Sequence, residues 1–484
     1  MSITINYVME SKLFILSSFS VLFGTAYPAN AQSLNPARPN ILLVIAEDMT
    51  NVDLGCYGNQ DVKTPNLDSF ASEAVRYTNA FSTGAVSSAT RSGLITGMYQ
   101  TSIGAHNHRT LSKFKKELPK DVHPITTYIR NNGYFPVLCA HDNKKWGKSH
   151  PGPWGSGKTD FNFKFAEKEL FDGNDWNDTP EGKPFFAYLT LQSSHRGKWW
   201  NATDAKPGGV DPNTLSIPPF YPDNEISRKD FATYYDAVQK LDTHFGEIIN
   251  RLKNEKLLNN TIIVFMSDHG RPMPRDKQFC FDSGIHIPLM VRYPDKQDAG
   301  TINDKLVSSI DISAQIIDWT GGELPSHIHG VPFANDESQN RNYVISARDR
   351  CDETVHRIRS VRTKKYHYIK NFDWEVPYTA QNRYKDTRYP ILINMRELYK
   401  QGKLNENQIQ FMAECKPKEQ LFDVEDDPYE LRNLADDPSV KKELKKMRRY
   451  LTEWLNQYPD MGEKPEPQCV MDDILKQRKQ EYGF

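Results

Sequence analysis

Three apolar runs along the chain end in the same way. Asn40-Ile41-Leu42-Leu43-Val44-Ile45-Ala46 is continuous and β-prone, the pattern of a strand covered on both faces, and it ends in Glu47-Asp48. Thr261–Met266 ends in Ser267-Asp268-His269-Gly270, and Phe185–Leu191 is followed four residues later by His195. In an open, mostly parallel α/β sheet, polar groups beyond the carboxyl ends of the strands converge on one crevice. Between two of these runs, Phe231, Tyr234, Tyr235, Val238, Leu241, Phe245, Ile248 and Ile249 recur at helical spacing within 226–252. Strand, helix and strand therefore alternate toward a doubly wound core.

From about residue 343 the pattern changes. Ile358–Val361 and Tyr366–Lys370 flank Thr363-Lys364-Lys365 as a hairpin would, and Leu421-Phe422-Asp423-Val424 leads through acidic residues and Pro428 into a turn. Val440, Leu444, Met447, Leu451 and Leu455 put one apolar stripe on a basic helix, which predicts docking onto the body of the protein. The expected division is a large α/β domain over 32–342 and a smaller α+β unit with an antiparallel sheet over 343–484.

Charge narrows the function. Among 484 residues, 61 Lys and Arg balance 62 Asp and Glu, which argues against a nucleic-acid binder and requires any anionic substrate to be attracted locally. Residues 1–31 read as a secretory signal: Lys12 precedes the apolar run Leu13–Phe23, and Ala29-Asn30-Ala31 fits a cleavage site. That run is too short and serine-broken to span a bilayer, and no later stretch is long enough. The expected location is periplasmic or secreted. Six cysteines at this low density do not indicate a disulfide framework, and Cys139, inside an apolar run, reads as a buried thiol. Long loops at 141–160 and 196–223 carry Trp154, Trp199 and Trp200, which either stack on sugar rings or tuck under their own loops.

The chemistry centres on Ser87-Ser88-Ala89-Thr90-Arg91, continued by Ser92-Gly93-Leu94-Ile95-Thr96-Gly97. This pattern delivers Ser87 to the first turn of a helix, with Arg91 on the same face, where free N–H groups favour an anion. Glu47, Asp48 and Asp268 are hard oxygen ligands suited to calcium or magnesium, and His269 adds a nitrogen. His106, His108 and Arg109 follow the helix closely enough to grip an anionic substrate or move protons near neutral pH.

These residues resemble the signature of the formylglycine-dependent sulfatases: Cys or Ser, any residue, Pro or Ala, any residue, Arg, then Thr-Gly. The resemblance spans most of the chain beyond the signal. It includes Leu54-Gly55-Cys56-Tyr57-Gly58, the Asp268-His269 motif, Lys277 followed by Phe281-Asp282-Ser283-Gly284-Ile285, and the stretch Gln420–Leu434. It implies an alkaline-phosphatase-like fold, with a large, mostly parallel sheet flanked by helices, and a sulfuric ester hydrolase that acts on a sulfated carbohydrate. It also implies that a serine-type maturation enzyme oxidises Ser87 to formylglycine. Glu47, Asp48, Ser87, Asp268 and His269 would then surround calcium, or alternatively magnesium. Arg91 and the metal would stabilise the nucleophile, Lys277 would hold the sulfate, and His195 would protonate the leaving oxygen.

Two positions depart from the family pattern. Glu47 replaces the more common Asp, so it either coordinates differently or hydrogen-bonds one step back from the ion. The family's Gly-Lys-x-His element is matched by Gly157-Lys158-Thr159-Asp160 after an insertion over 141–156, which makes Lys158 a sulfate clamp with Asp160 in place of the histidine. Gly147-Lys148-Ser149-His150 is a competing match, and His141 with Lys144 a remoter one. Two other functions fit the same residues: a phosphate mono- or diester hydrolase of the same fold, and a non-catalytic glycan-binding protein in which Ser87 stays serine.

Overall fold

The computed structural model describes residues 38–140, 157–197, 200, 209–334 and 340–483. The signal expected over 1–31 lies outside them, as do His141, Lys144, Lys148, His150, Trp154 and Trp199. The larger sheet comprises β1 (Asn40–Ala46), β2 (Val75–Phe81), β3 (Phe135–Ala140), β4 (Phe185–Leu191), β5 (Thr261–Ser267), β6 (His286–Arg292) and β7 (Ile302–Ser308). Their order across the sheet is β3-β4-β1-β5-β6-β2-β7. Only β6 runs against its neighbours; the remaining pairings are parallel, so the expected mostly parallel sheet is present.

Both faces of this sheet are covered, which explains why β1 is apolar throughout. Leu42, Val44 and Ala46 join one core cluster with Phe231, Val238, Leu241, Phe245 and Ile248 of the helix Glu225–Asn254. Ile41, Leu43 and Ile45 join another, packed under Leu94 and Ile95 of the helix Ser87–Thr96 and Ile312 and Ile316 of the helix Ser309–Trp319. Each fully buried Ile, Leu or Val is worth about 1.5–3 kcal/mol relative to exposure, so a polar residue within β1 would cost the sheet on whichever side it faced.

The smaller sheet is antiparallel, formed by β8 (Val344–Arg348), β9 (Ile358–Arg362), β10 (Tyr366–Asn371) and β11 (Glu419–Asp423) in the order β11-β10-β9-β8. The expected hairpin is β9–β10, closed by the Thr363 N–H donating to Tyr366 O at 2.9 Å. The expected amphipathic helix is Lys441–Gln457; it buries Leu444, Met447, Leu451 and Trp454 against Val361, Tyr368 and Leu421. All six cysteines are free thiols, and burial raises the Cys139 pKa well above the usual thiol value. Trp200 is tucked under its own loop, its indole N–H donating to Ser194 O at 2.7 Å. Among the described residues, no helix is long and apolar enough to cross a membrane.

Candidate active site

Strand register places the first set of groups. Ala46, the last residue of β1, lies opposite Leu191 of β4 and Ser267 of β5, so the residues that follow all three strands emerge at one edge. Backbone bonds fix them there: Glu47 N–H to Leu191 O (3.1 Å), Asp268 N–H to Ala46 O (3.1 Å) and Met49 N–H to His269 O (2.9 Å). Asp48 adopts a left-handed φ of 51°, which Asp tolerates better than most residues, and its N–H donates to Asp268 Oδ1 at 3.2 Å. Gly270 then allows a close crossing, because a Cβ there would sit 2.0 Å from Ser283 O. Ser283 and Gly284 pack directly against Gly270 as a result, with Gly284 O accepting the Gly270 N–H at 2.9 Å.

The second set comes from β2. A loop after Phe81, held by Ala347 N–H to Thr83 O (2.9 Å) and Ser346 Oγ to Ser82 O (2.6 Å), leads into the helix Ser87–Thr96. Its cap residue, Val86, offers no side-chain acceptor, and Gly97 closes the helix at φ 65°. The open first-turn N–H groups and the helix dipole both favour negative charge beside Ser87.

Around Ser87 the donor atoms converge. Ligand atoms of Asp48, Asp268 and His269, all fully buried, lie within 4.8 Å of one another. His269 Nδ1 donates to Gly270 O at 2.9 Å, so Nε2 presents its lone pair. Nε2 lies 3.1 Å from Asp48 Oδ1 and 3.8 Å from Asp268 Oδ1, and it accepts the Ser87 Oγ–H at 3.1 Å. Acceptors facing acceptors repel one another, and a hard divalent cation among them converts that repulsion into binding; this donor set fits such an ion. Lys277 Nζ donates to both Asp48 oxygens, at 2.9 and 2.7 Å. Burial alone would raise the pKa of Asp268, but His269, Arg91, Lys158 and Lys277 overcome it and hold the carboxyl well below the usual range.

Arg91 spreads its guanidinium across the floor of the site. Nε donates to Asp268 Oδ2 (3.1 Å), Nη2 to Glu47 Oε1 (3.3 Å), and Nη1 to Tyr188 OH (3.1 Å) and Thr190 Oγ1 (3.0 Å). The Glu47 carboxylate therefore meets Arg91, and it also meets the ammonium of Lys158; it is not one of the three convergent ligands. Burial raises the Glu47 pKa despite these two cations. Lys158 also lies 3.9 Å from Asp160, which places the Gly157–Asp160 element at the site.

Two imidazoles sit among the same cations. Burial, then Lys277, Lys158 and Arg109, hold His195 well below the ordinary value, and its Nδ1 is buried with no hydrogen-bond partner among the described residues. His108 is depressed in the same way by burial, Arg109, Lys277 and Lys158. Ser88 Oγ accepts the Arg109 N–H at 3.2 Å and lies 2.8 Å from His108 Nδ1. Both rings are thus neutral until an anion offsets the neighbouring positive charge. Asp352 and Asp160 flank Arg109 and strengthen its charge against burial. His106, by contrast, has Asp349, Arg359, Asp460 and Glu466 as charged neighbours and faces a separate cavity.

Several contributors are absent from the sequence-based set. Tyr188 and Thr190 had a readable signal, two polar groups at i and i+2 on one face of an otherwise apolar strand. Ser88, directly after Ser87, had none, because its partner His108 is 20 residues away.

Comparison with known proteins agrees with this geometry. The profile of the sulfatase family matches residues 39–322, and that of the N-sulphoglucosamine sulphohydrolase C-terminal region matches 273–403. An ulvan-active sulfatase from Formosa agariphila is 31% identical, over 90% of this chain and 78% of its own. Human N-sulphoglucosamine sulphohydrolase is 26% identical, over 90% of this chain and 95% of its own. Among solved structures, a 2-O GAG sulfatase superposes with a TM-score of 0.62 at 17% identity, covering 90% of this chain and 96% of that one. With a family profile across more than half of its length and Ser87, Asp48, Asp268 and His269 gathered at one sheet edge, the chain belongs to the sulfatase family.

Proposed function

We propose that the chain is an exported sulfatase that hydrolyses sulfate esters on a carbohydrate through an aldehyde made from Ser87 and a divalent metal. The observation that carries this reading is the position of Ser87: first residue of its helix, Oγ 3.1 Å from His269 Nε2, beside three convergent metal-type ligands. When present, the metal would supply electrophilic neutralisation of a sulfate oxygen, and the aldehyde, once hydrated, would supply a hydroxyl nucleophile and be restored as aldehyde when sulfate leaves. Asp48, Asp268 and His269 would hold the ion, calcium in preference to magnesium, with Ser87 at its edge; Glu47 supports it through Lys158 and Arg91.

The chain's own residues complete the site. Lys277, Lys158 and Arg91 surround the sulfate position with positive charge in a buried setting, where each interaction counts for more than in water. His108 offers a neutral imidazole, and Arg109 adds a cation at the same loop. An arriving sulfate offsets the charges that depress His195, so binding raises its pKa and readies it to protonate the departing alcohol. Residues 32–342 form the catalytic unit, and 343–484 brace the Ser87 loop through β8. The carbohydrate substrate draws support from the relatives, an ulvan-active sulfatase and an N-sulphoglucosamine sulphohydrolase. Maturation requires an enzyme that accepts serine, and the 1–31 signal directs export to the periplasm or beyond.

The test compares turnover of an aryl sulfate, an aryl phosphate and an aryl phosphodiester by enzyme made in its native host. Dominant sulfate release supports the proposal; dominant phosphoester cleavage overturns it.

A further inference from the structure

Beside the sulfate site lies a second cavity, of about 600 Å³, between residues 104–116 and 459–470. His106 lines it, only 8% exposed, and its Nδ1 has no hydrogen-bond partner among the described residues. A buried ring nitrogen left without a partner is costly, unless a ligand supplies one.

The charges on the cavity wall do not balance. Of its acids, Asp460 is held by Arg357 at 2.8 Å and Glu466 by Arg350, so both are neutralised. Glu463 is the acid that remains, facing Lys115, Lys116 and Lys464, none of which has a carboxylate partner among the described ion pairs. The balance is positive, which favours an anionic occupant.

One loop separates this cavity from the sulfate site. Asn107 and Thr110 line the cavity, while His108 and Arg109 between them belong to the sulfate side. Asn162 ties the two together: it donates to Thr110 Oγ1 (3.1 Å), and its backbone N–H donates to Ser92 Oγ on the nucleophile helix (2.8 Å). Lys115 Nζ donates to Phe161 O (2.6 Å), the residue after Asp160, which itself lies 3.9 Å from Lys158.

We propose that this cavity is a remote subsite that holds an anionic sugar unit, sulfated or carboxylated, of the same chain whose sulfate is being removed at Ser87. The inference rests on the carbohydrate reading above. It follows that KM falls as the substrate lengthens and that the Lys116 and Lys464 charges matter for long substrates alone.

The experiment measures kcat and KM for an aryl sulfate and for ulvan and GAG oligosaccharides of increasing length, with the full, matured chain. The parent is expected to show a KM that declines with length. Lys116→Ala combined with Lys464→Ala should raise KM for the long substrates about fivefold, the loss of about 1 kcal/mol of charge contact, and leave the aryl sulfate unchanged. His106→Gln, which keeps a polar group of similar size, should raise the long-substrate KM and leave kcat intact. A parent that hydrolyses the oligosaccharides with a length-independent KM, or variants that alter aryl sulfate and oligosaccharide equally, overturns the subsite alone. A parent active on aryl sulfate but on no oligosaccharide overturns the carbohydrate reading and the subsite with it.

Discussion

Arg91→Met removes the guanidinium from the floor of the site while keeping an unbranched side chain. In the parent, Nε and Nη2 reach Asp268 and Glu47 at 3.1 and 3.3 Å, and all three groups are 0–1% exposed. Removing one partner of a buried pair costs about 3–5 kcal/mol, because the remaining charge is left uncompensated. Glu47 keeps Lys158, so the main loss falls on Asp268, and ~4 kcal/mol is expected, about a thousandfold in the folding equilibrium. The pH dependence gives the sharper check. Asp268 is depressed in the parent, so its stabilising contribution is present above the unfolded value of about 3.9 and is lost as pH falls through the lower folded value. Without Arg91, burial meets less opposition, and Asp268 and Glu47 shift upward. Glu47, which burial already raises in the parent, carries the change between pH 8 and pH 5, where its penalty fades; Asp268, starting well below the usual range, sheds its penalty at lower pH. Urea unfolding followed by tryptophan fluorescence, in chelator so that no metal compensates, should show a parent–variant gap wider near pH 8 than near pH 5. A gap under about 1 kcal/mol near pH 8, or one that does not change between the two conditions, refutes the assignment of Arg91 as the counter-charge.

The same geometry sets other expectations. Ser88→Ala frees His108 Nδ1 and should lower kcat/KM about tenfold, as one hydrogen bond's worth of orientation is lost, whereas Ser88→Thr should retain most activity. Arg109→Gln removes a charge that depresses both His195 and His108; both pKa values should rise, and the alkaline limb of kcat/KM against pH should move to higher pH. Strong chelation should abolish turnover and added calcium should restore it; activity untouched by chelation means that Asp48, Asp268 and His269 hold no catalytic ion. Lys158→Ala should lower kcat/KM about a hundredfold, and a much larger loss in His150→Ala would transfer the clamp role to the 147–150 element.

The parts of the fold legible in the sequence are those where burial acts on both sides. β1, β4 and β5 read as strands because each is fully buried, and their polar ends stood out against an apolar background. The helix Glu225–Asn254 was legible from the apolar positions that repeat at helical spacing from Phe231 to Ile249. The reversed direction of β6 was not, because its sequence fits either orientation and only the pairing with β2 and β5 decides it. Among site residues, Ser87, Asp48, Asp268, His269 and Lys277 were reachable through local motifs, and the structure brings them together. The separation of His106 from His108 was hidden: two residues apart on one loop, they face different cavities, and no spacing rule governs an irregular segment. Glu47 stands where Asp is more common, yet its partner Lys158 is too distant in sequence for local pattern to pair the two.

The central claim is that Ser87 as encoded is a precursor of the nucleophile. Trypsin releases it in the peptide Tyr77–Arg91, and mass spectrometry of that peptide, from protein made in the native host, reports its state directly. The account predicts a form lighter by two hydrogens, whose fraction across preparations tracks the rate of sulfate release. Full sulfatase turnover from protein in which that peptide carries only unmodified serine would contradict it.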